Sequence, residues 1–90
     1  MRARAVPMSR AMLGAMDREA MARALNRAEQ LVIDGDLLIA QQKELISNLL
    51  ALGLDATAYQ DMLIGLEQTQ SLRVQHASRL KRDSDNATRA

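Results

Sequence analysis

LNRAEQLVIDGDLLIAQQKELISNLLALGLD, residues 25–55, is the stretch that decides the fold of this chain. Leu31, Leu38, Leu45 and Leu52 recur every seven residues, Leu49 joins them, and a second row of Leu25, Val32, Ile39 and Ile46 runs alongside. Such spacing collects side chains on one face of an α-helix and calls for another helix against it. The register survives Asp34-Gly35-Asp36. Ala24, Leu31, Leu38, Leu45 and Leu52 hold one position, while Ala28, Gly35, Gln42 and Leu49 hold another. A glycine in a helix costs about 1 kcal/mol relative to alanine. Two readings therefore stand there: a turn between helices, or a helix-internal glycine at a close contact. A turn would break the phase, so the register favours one continuous helix, bent at Gly35.

Moving outward, Gly53-Leu54-Asp55 closes this helix. Gly53 can take the left-handed conformation that ends a helix, and Leu54 can fold back on the last turn. Asp55 can cap the next helix, with Thr57 and Gln60 as a rival capping box. The second helix presents Tyr59, Met62, Leu63, Leu66, Gln70, Val74, Ala77 and Leu80 inward. A connection this short makes the two helices antiparallel. Pairing residues whose numbers sum to about 108 sets Leu45 beside Leu63, Leu38 beside Gln70, Gly35 beside Arg73 and Leu31 beside Ala77. In that register Gly35 leaves room for Arg73, and its guanidinium comes near Asp34 or Asp36.

The chain divides into a flexible basic tail over 1–8, a helical hairpin domain over 9–82 and a polar tail over 83–90. Helices are expected at about 10–52 and 56–82, joined by a turn at 53–55. The Met- and Ala-rich segment 10–28 either stands as a separate helix or runs straight into the main one. The fold class is all-α: a long antiparallel helical hairpin with an additional or continuous N-terminal helical segment, assembling as a four-helix-bundle dimer of coiled-coil type. Composition agrees, with no Trp or Phe and a single aromatic, Tyr59. A core of Leu, Ile, Met and Ala suits helices. A bare two-helix hairpin leaves half of each apolar face wet, which favours a homodimer or a helical partner.

Gly35-Asp36-Leu37-Leu38-Ile39-Ala40-Gln41-Gln42, followed by Gly53-Leu54-Asp55 and Leu66-Glu67-Gln68, resembles short helical proteins of alphaproteobacteria that lack an assigned activity. In these a glycine precedes an Ile-x-x-Gln run, a Gly-x-Asp turn joins two helices, and Leu-Glu recurs in the second. The likeness spans residues 27–82. Ala56 between Asp55 and Thr57, and Arg73 where small or aliphatic residues are usual, depart from it. The resemblance implies a helical hairpin and no mechanism.

Chemistry is sparse. The chain has no cysteine, so disulfides and thiolate chemistry are excluded. His76 is the single imidazole, and Ser71 and Ser78, five and two residues away, do not share its helix face. No nucleophile–base–carboxylate set forms around it, and neither Glu67 nor Asp83 stands close enough to complete a metal site. No catalytic, cofactor-binding or metal residue is assigned, and the chain is read as no enzyme. No stretch approaches the ~20 apolar residues of a membrane span, and the basic start lacks a signal-peptide core, so a cytoplasmic location is expected.

The leading functional expectation is a small non-enzymatic interaction or adaptor protein. Its interface would be Leu25, Leu31, Val32, Leu38, Ile39, Leu45, Ile46, Leu49, Leu63 and Leu66, with Gln42, Gln70, Arg73, Asp34 and Asp36 setting alignment. Buried amides such as Gln42 and Gln70 can fix register at some cost in stability. The alternative is a nucleic-acid-associated regulator using an arginine-rich end: Arg10, Arg18, Arg23, Arg27, Arg79, Lys81 and Arg82. Against it stand a net charge of only +1 and the lack of a stacking platform or recognition motif.

Overall fold

The computed structural model describes residues 10–88, and side chains from 17 to 87. The expected basic tail over 1–8 lies outside the described residues, as does the side chain of Arg10. Two helices make up the fold: α1, Arg10–Ala51, and α2, Thr57–Thr88. They run antiparallel as a hairpin, one helix layer thick.

α1 is continuous over 42 residues. The chain's one proline, Pro7, precedes it, so no residue within α1 lacks the N–H its ladder needs. Segment 10–28 belongs to this same helix, and Gly35 does not interrupt it. Its end is a Schellman closure. Gly53 takes φ +73°, Leu54 N–H donates to the Leu49 carbonyl at 2.9 Å, and Gly53 N–H donates to Leu50 at 3.0 Å. Asp55 then caps α2, accepting from the Thr57 backbone N–H at 2.9 Å and the Thr57 hydroxyl at 2.6 Å. Those two bonds, the hydroxyl's first, hold the Asp55 carboxyl below its ordinary value.

A group with a depressed folded pKa stabilises the fold above its unfolded value of 3.8 and loses that effect as pH falls further. Wild type should therefore exceed Asp55→Ala in thermal midpoint at neutral pH, with the gap closing at the acid end of a pH series. A gap of constant size would show that the charge on Asp55 contributes nothing to the cap.

α2 extends past Arg82, the expected end, to Thr88. Asp83-Ser84-Asp85-Asn86 has little helix preference of its own. Within these turns Ser84 continues the inward row of α2 and is half-buried at the level of the α1 N-terminal segment, while 85–87 are exposed.

The seam between the helices follows alternating three- and four-residue steps. On α1 the shielded positions are 21, 24, 25, 28, 32, 35, 39, 42, 46 and 49, and on α2 they are 63, 66, 70, 73, 77, 80 and 84, with Ala56 shielded just before α2 begins. Facing residues have numbers summing to about 105, as fixed by Gln70 against Val32, Gly35 and Asp36. This lies three residues from the projected register, nearly one helical turn. The core is thin. Among the described residues only Ala28, Ile46 and Ala56 are buried apolar side chains, and none of the large ones is fully covered.

The main difference from expectation concerns which row faces α2. The Leu25–Val32–Ile39–Ile46 row fills the seam, and the Leu31–Leu38–Leu45–Leu52 row does not. Those four leucines are 42%, 48%, 39% and 74% exposed. Small residues Ala28 and Gly35 border both rows, and in the seam as formed Gln70 lies against Gly35 with the Val32 carbonyl and Asp36 as its partners.

Candidate interaction surface

Gln70 is the one buried polar residue among those described, 7% exposed, in the middle of the seam. Its Nε2 donates to the Val32 carbonyl at 2.7 Å and to Asp36 Oδ1 at 2.8 Å. Both partners are acceptors, which fixes the orientation of the amide. Its Oε1 is buried without a hydrogen-bond partner and points at Gly35, where a β-carbon would collide with it and would lie 3.2 Å from Arg73 Nη1. Glycine at 35 is thus a steric requirement of the Gln70 amide, and the α-hydrogen facing Oε1 offers only a weak C–H contact.

The other alignment residues divide. Gln42 is half-buried in the seam and donates from Nε2 to the Tyr59 carbonyl at 3.0 Å, near the start of α2. Arg73 is half-buried beside Gly35, as projected. The projected ion pair with Asp34 or Asp36 does not form. Asp36 accepts from Gln70, and Asp34 accepts from Gln30 Nε2 at 2.9 Å along its own helix.

The two flanks of the hairpin differ in chemistry. One carries the leucine row of α1 and, from α2, the seven-residue row Met62, Thr69 and His76. Ala24, Arg27, Leu31 and His76 share a hollow of about 140 Å³ there. Tyr59, Met62 and Leu72 are also exposed large apolar side chains of α2. The opposite flank mixes charge with a shallow hollow of about 310 Å³ lined by Glu29, Val32, Ile33, Val74, Ala77, Ser78 and Lys81. Of the interface expected from sequence, Leu25, Val32, Ile39, Ile46, Leu49, Leu63 and Leu66 lie in or beside the internal seam. Leu31, Leu38 and Leu45 lie outside it.

The basic residues Arg23, Arg27, Arg79, Lys81 and Arg82 do gather at the open end, away from the turn, all solvent-exposed. Arg23 pairs with Glu19 at 3.8 Å, and Asp17, Glu29, Asp83 and Asp85 interleave with the rest. Among the described residues no group of His, Asp or Glu is placed to hold a metal ion. No described helix is long and apolar enough to cross a membrane.

Three residues expected on the inward face of α2 are instead exposed: Tyr59 in its first turn, and Met62 and Val74, which stand beside and not in the row that faces α1. Gly65, in the first third of α2, has open space where a β-carbon would project. A two-helix hairpin with one dry seam and one exposed leucine flank is the class of molecule this geometry defines. Comparison with protein-family models, with curated proteins and with solved structures finds no match to the chain.

Proposed function

We propose that this chain is a small non-enzymatic interaction protein whose Leu31–Leu38–Leu45–Leu52 row receives a helix from another polypeptide. The observation that carries the reading is the exposure of all four leucines at helical spacing while the adjacent row is used internally. Single exposed apolar residues are ordinary, whereas a contiguous row of them marks an interaction surface. Covering the exposed half of each leucine contributes ~1 kcal/mol, or about 4 kcal/mol for the row before the partner's own side chains are added. Gln70, Gly35 and Asp36 serve this reading indirectly, by holding α2 in the register that leaves the leucines outside.

Cross-linking in cells, followed by recovery of the tagged full chain, tests the proposal with Leu38→Glu/Leu45→Glu beside wild type. Wild type should be recovered joined to another polypeptide, itself or a different one, and the double variant should lose that product while keeping its helical circular dichroism. Equal recovery from both proteins, or no product from wild type, refutes the reading.

A further inference from the structure

We infer that the occupant of the leucine flank is a second copy of this chain turned end for end, so that two hairpins form an antiparallel four-helix bundle. The inference rests on the proposed reading that the leucine row receives a helix, and four observations select this occupant.

Direction comes first. At 100° per residue the leucine row stands roughly 90° around α1 from the centre of the α2 seam. A third helix lying in the groove of the hairpin would call for about 60°, as in a triangle. A right angle is the corner of a square, where each helix has two neighbours, as in a four-helix bundle.

Exposed apolar surface gives the second. Along this flank Leu31, Leu38, Leu45, Leu52 and Met62 are 42%, 48%, 39%, 74% and 58% exposed, a contiguous apolar strip of the kind that marks an interface.

Self-complementarity is the third. A twofold axis crossing the middle of the leucine row sets Leu38 against Leu45 of the second copy and Leu31 against its Leu52. The intrachain register carries the same axis to α2 between Leu63 and Ile64, in its first third. There it pairs Met62 with Gly65 of the second copy. Met62 is exposed in the single hairpin, and Gly65 has open space around it. A glycine that weakens α2 without an intrachain reason thereby gains one: it makes room for the methionine. The fourth observation is charge. The turn end holds Glu44, Asp55 and Asp61 against Lys43 alone, and an end-for-end arrangement keeps the two acidic turns apart.

Sedimentation equilibrium of the full chain over the micromolar range, combined with thermal melts, tests the inference. Wild type should be a dimer whose melting midpoint rises with concentration. Gly65→Leu replaces a poor helix former with a good one at an open position, so the hairpin itself is not weakened. The variant should nevertheless dissociate about 100-fold more readily, the loss expected when a central packing contact is blocked. Spin labels on a single cysteine at Leu54, in the turn, should lie roughly 35 Å apart across the dimer by the rise of the helix. A monomeric wild type, a Gly65→Leu dimer of unchanged affinity, or turn labels within ~20 Å of each other would each overturn it. A monomer that the cross-linking experiment joins to a different helical protein ends this inference while leaving the interaction reading intact.

Discussion

Gly35→Leu is expected to abolish the cooperative unfolding transition of the hairpin, and Gly35→Ala to weaken it by ~1–2 kcal/mol, although both are better helix formers than glycine. The sign follows from what occupies the space. A β-carbon at 35 meets the Gln70 amide oxygen, so the amide must swing out and lose its bonds to the Val32 carbonyl and the Asp36 carboxylate. One neutral and one charge-assisted bond together contribute about 2–3 kcal/mol, against the ~1 kcal/mol that alanine gains in the helix. Leucine adds a branched side chain pressed toward Arg73, an overpacking cost of ~1–3 kcal/mol more. In a thin core, that exceeds what the seam can absorb. The decisive comparison is a double-mutant cycle. In a Gln70→Ala background only the far end of the flexible Arg73 side chain, 3.2 Å away, stands near a β-carbon at 35, and it can shift, so Gly35→Ala should change sign and stabilise by up to about 1 kcal/mol. Urea unfolding of the four proteins measures it, and additive effects would show that Gly35 and Gln70 are not coupled.

That coupling also marks where the sequence was legible and where it was not. The two helices, their antiparallel sense, the Gly53 closure and the Asp55 cap all follow from local chemistry: periodicity, a left-handed glycine and a carboxylate two residues before its donor. The continuity of α1 through Gly35 follows from phase. The choice of seam does not. On α1 the Ala28–Gly35–Gln42–Leu49 row forms a proper three–four repeat with the leucine row on one side, and an equally proper one with the Leu25–Val32–Ile39–Ile46 row on the other. Periodicity cannot rank two overlapping seams that share a row. What distinguishes them is tertiary: in the observed register Gln70 meets both Gly35 and the Asp36 carboxylate. The projected Arg73 ion pair is absent as well: of its two projected acceptors, Asp36 accepts from Gln70 and Asp34 from Gln30. Gly65 was visible as a residue, but its open surroundings emerge only once α2 is placed.

Ile39 and Leu38 are neighbours in sequence, and they should behave as opposites. Ile39 is half-buried in the seam at the level of Leu66, so Ile39→Glu removes an apolar contact from the seam and sets a carboxylate beside Glu67, with Lys43 in the same hollow as its one cation. The lost packing and the partly desolvated charge should cost ~2 kcal/mol, lowering the unfolding midpoint at every protein concentration. Leu38 lies 100° around the helix from it and is half exposed. Glutamate and leucine have similar helix preference, so Leu38→Glu should leave the isolated hairpin within about 0.5 kcal/mol of wild type. Its effect should fall on association alone: the midpoint at high dilution stays with that of wild type, and the rise with concentration disappears. Thermal melts of both variants across a dilution series separate the two behaviours. If the leucine row were the one packed on α2, the order would invert, with Leu38→Glu unfolding the hairpin at all concentrations and Ile39→Glu merely dissociating it.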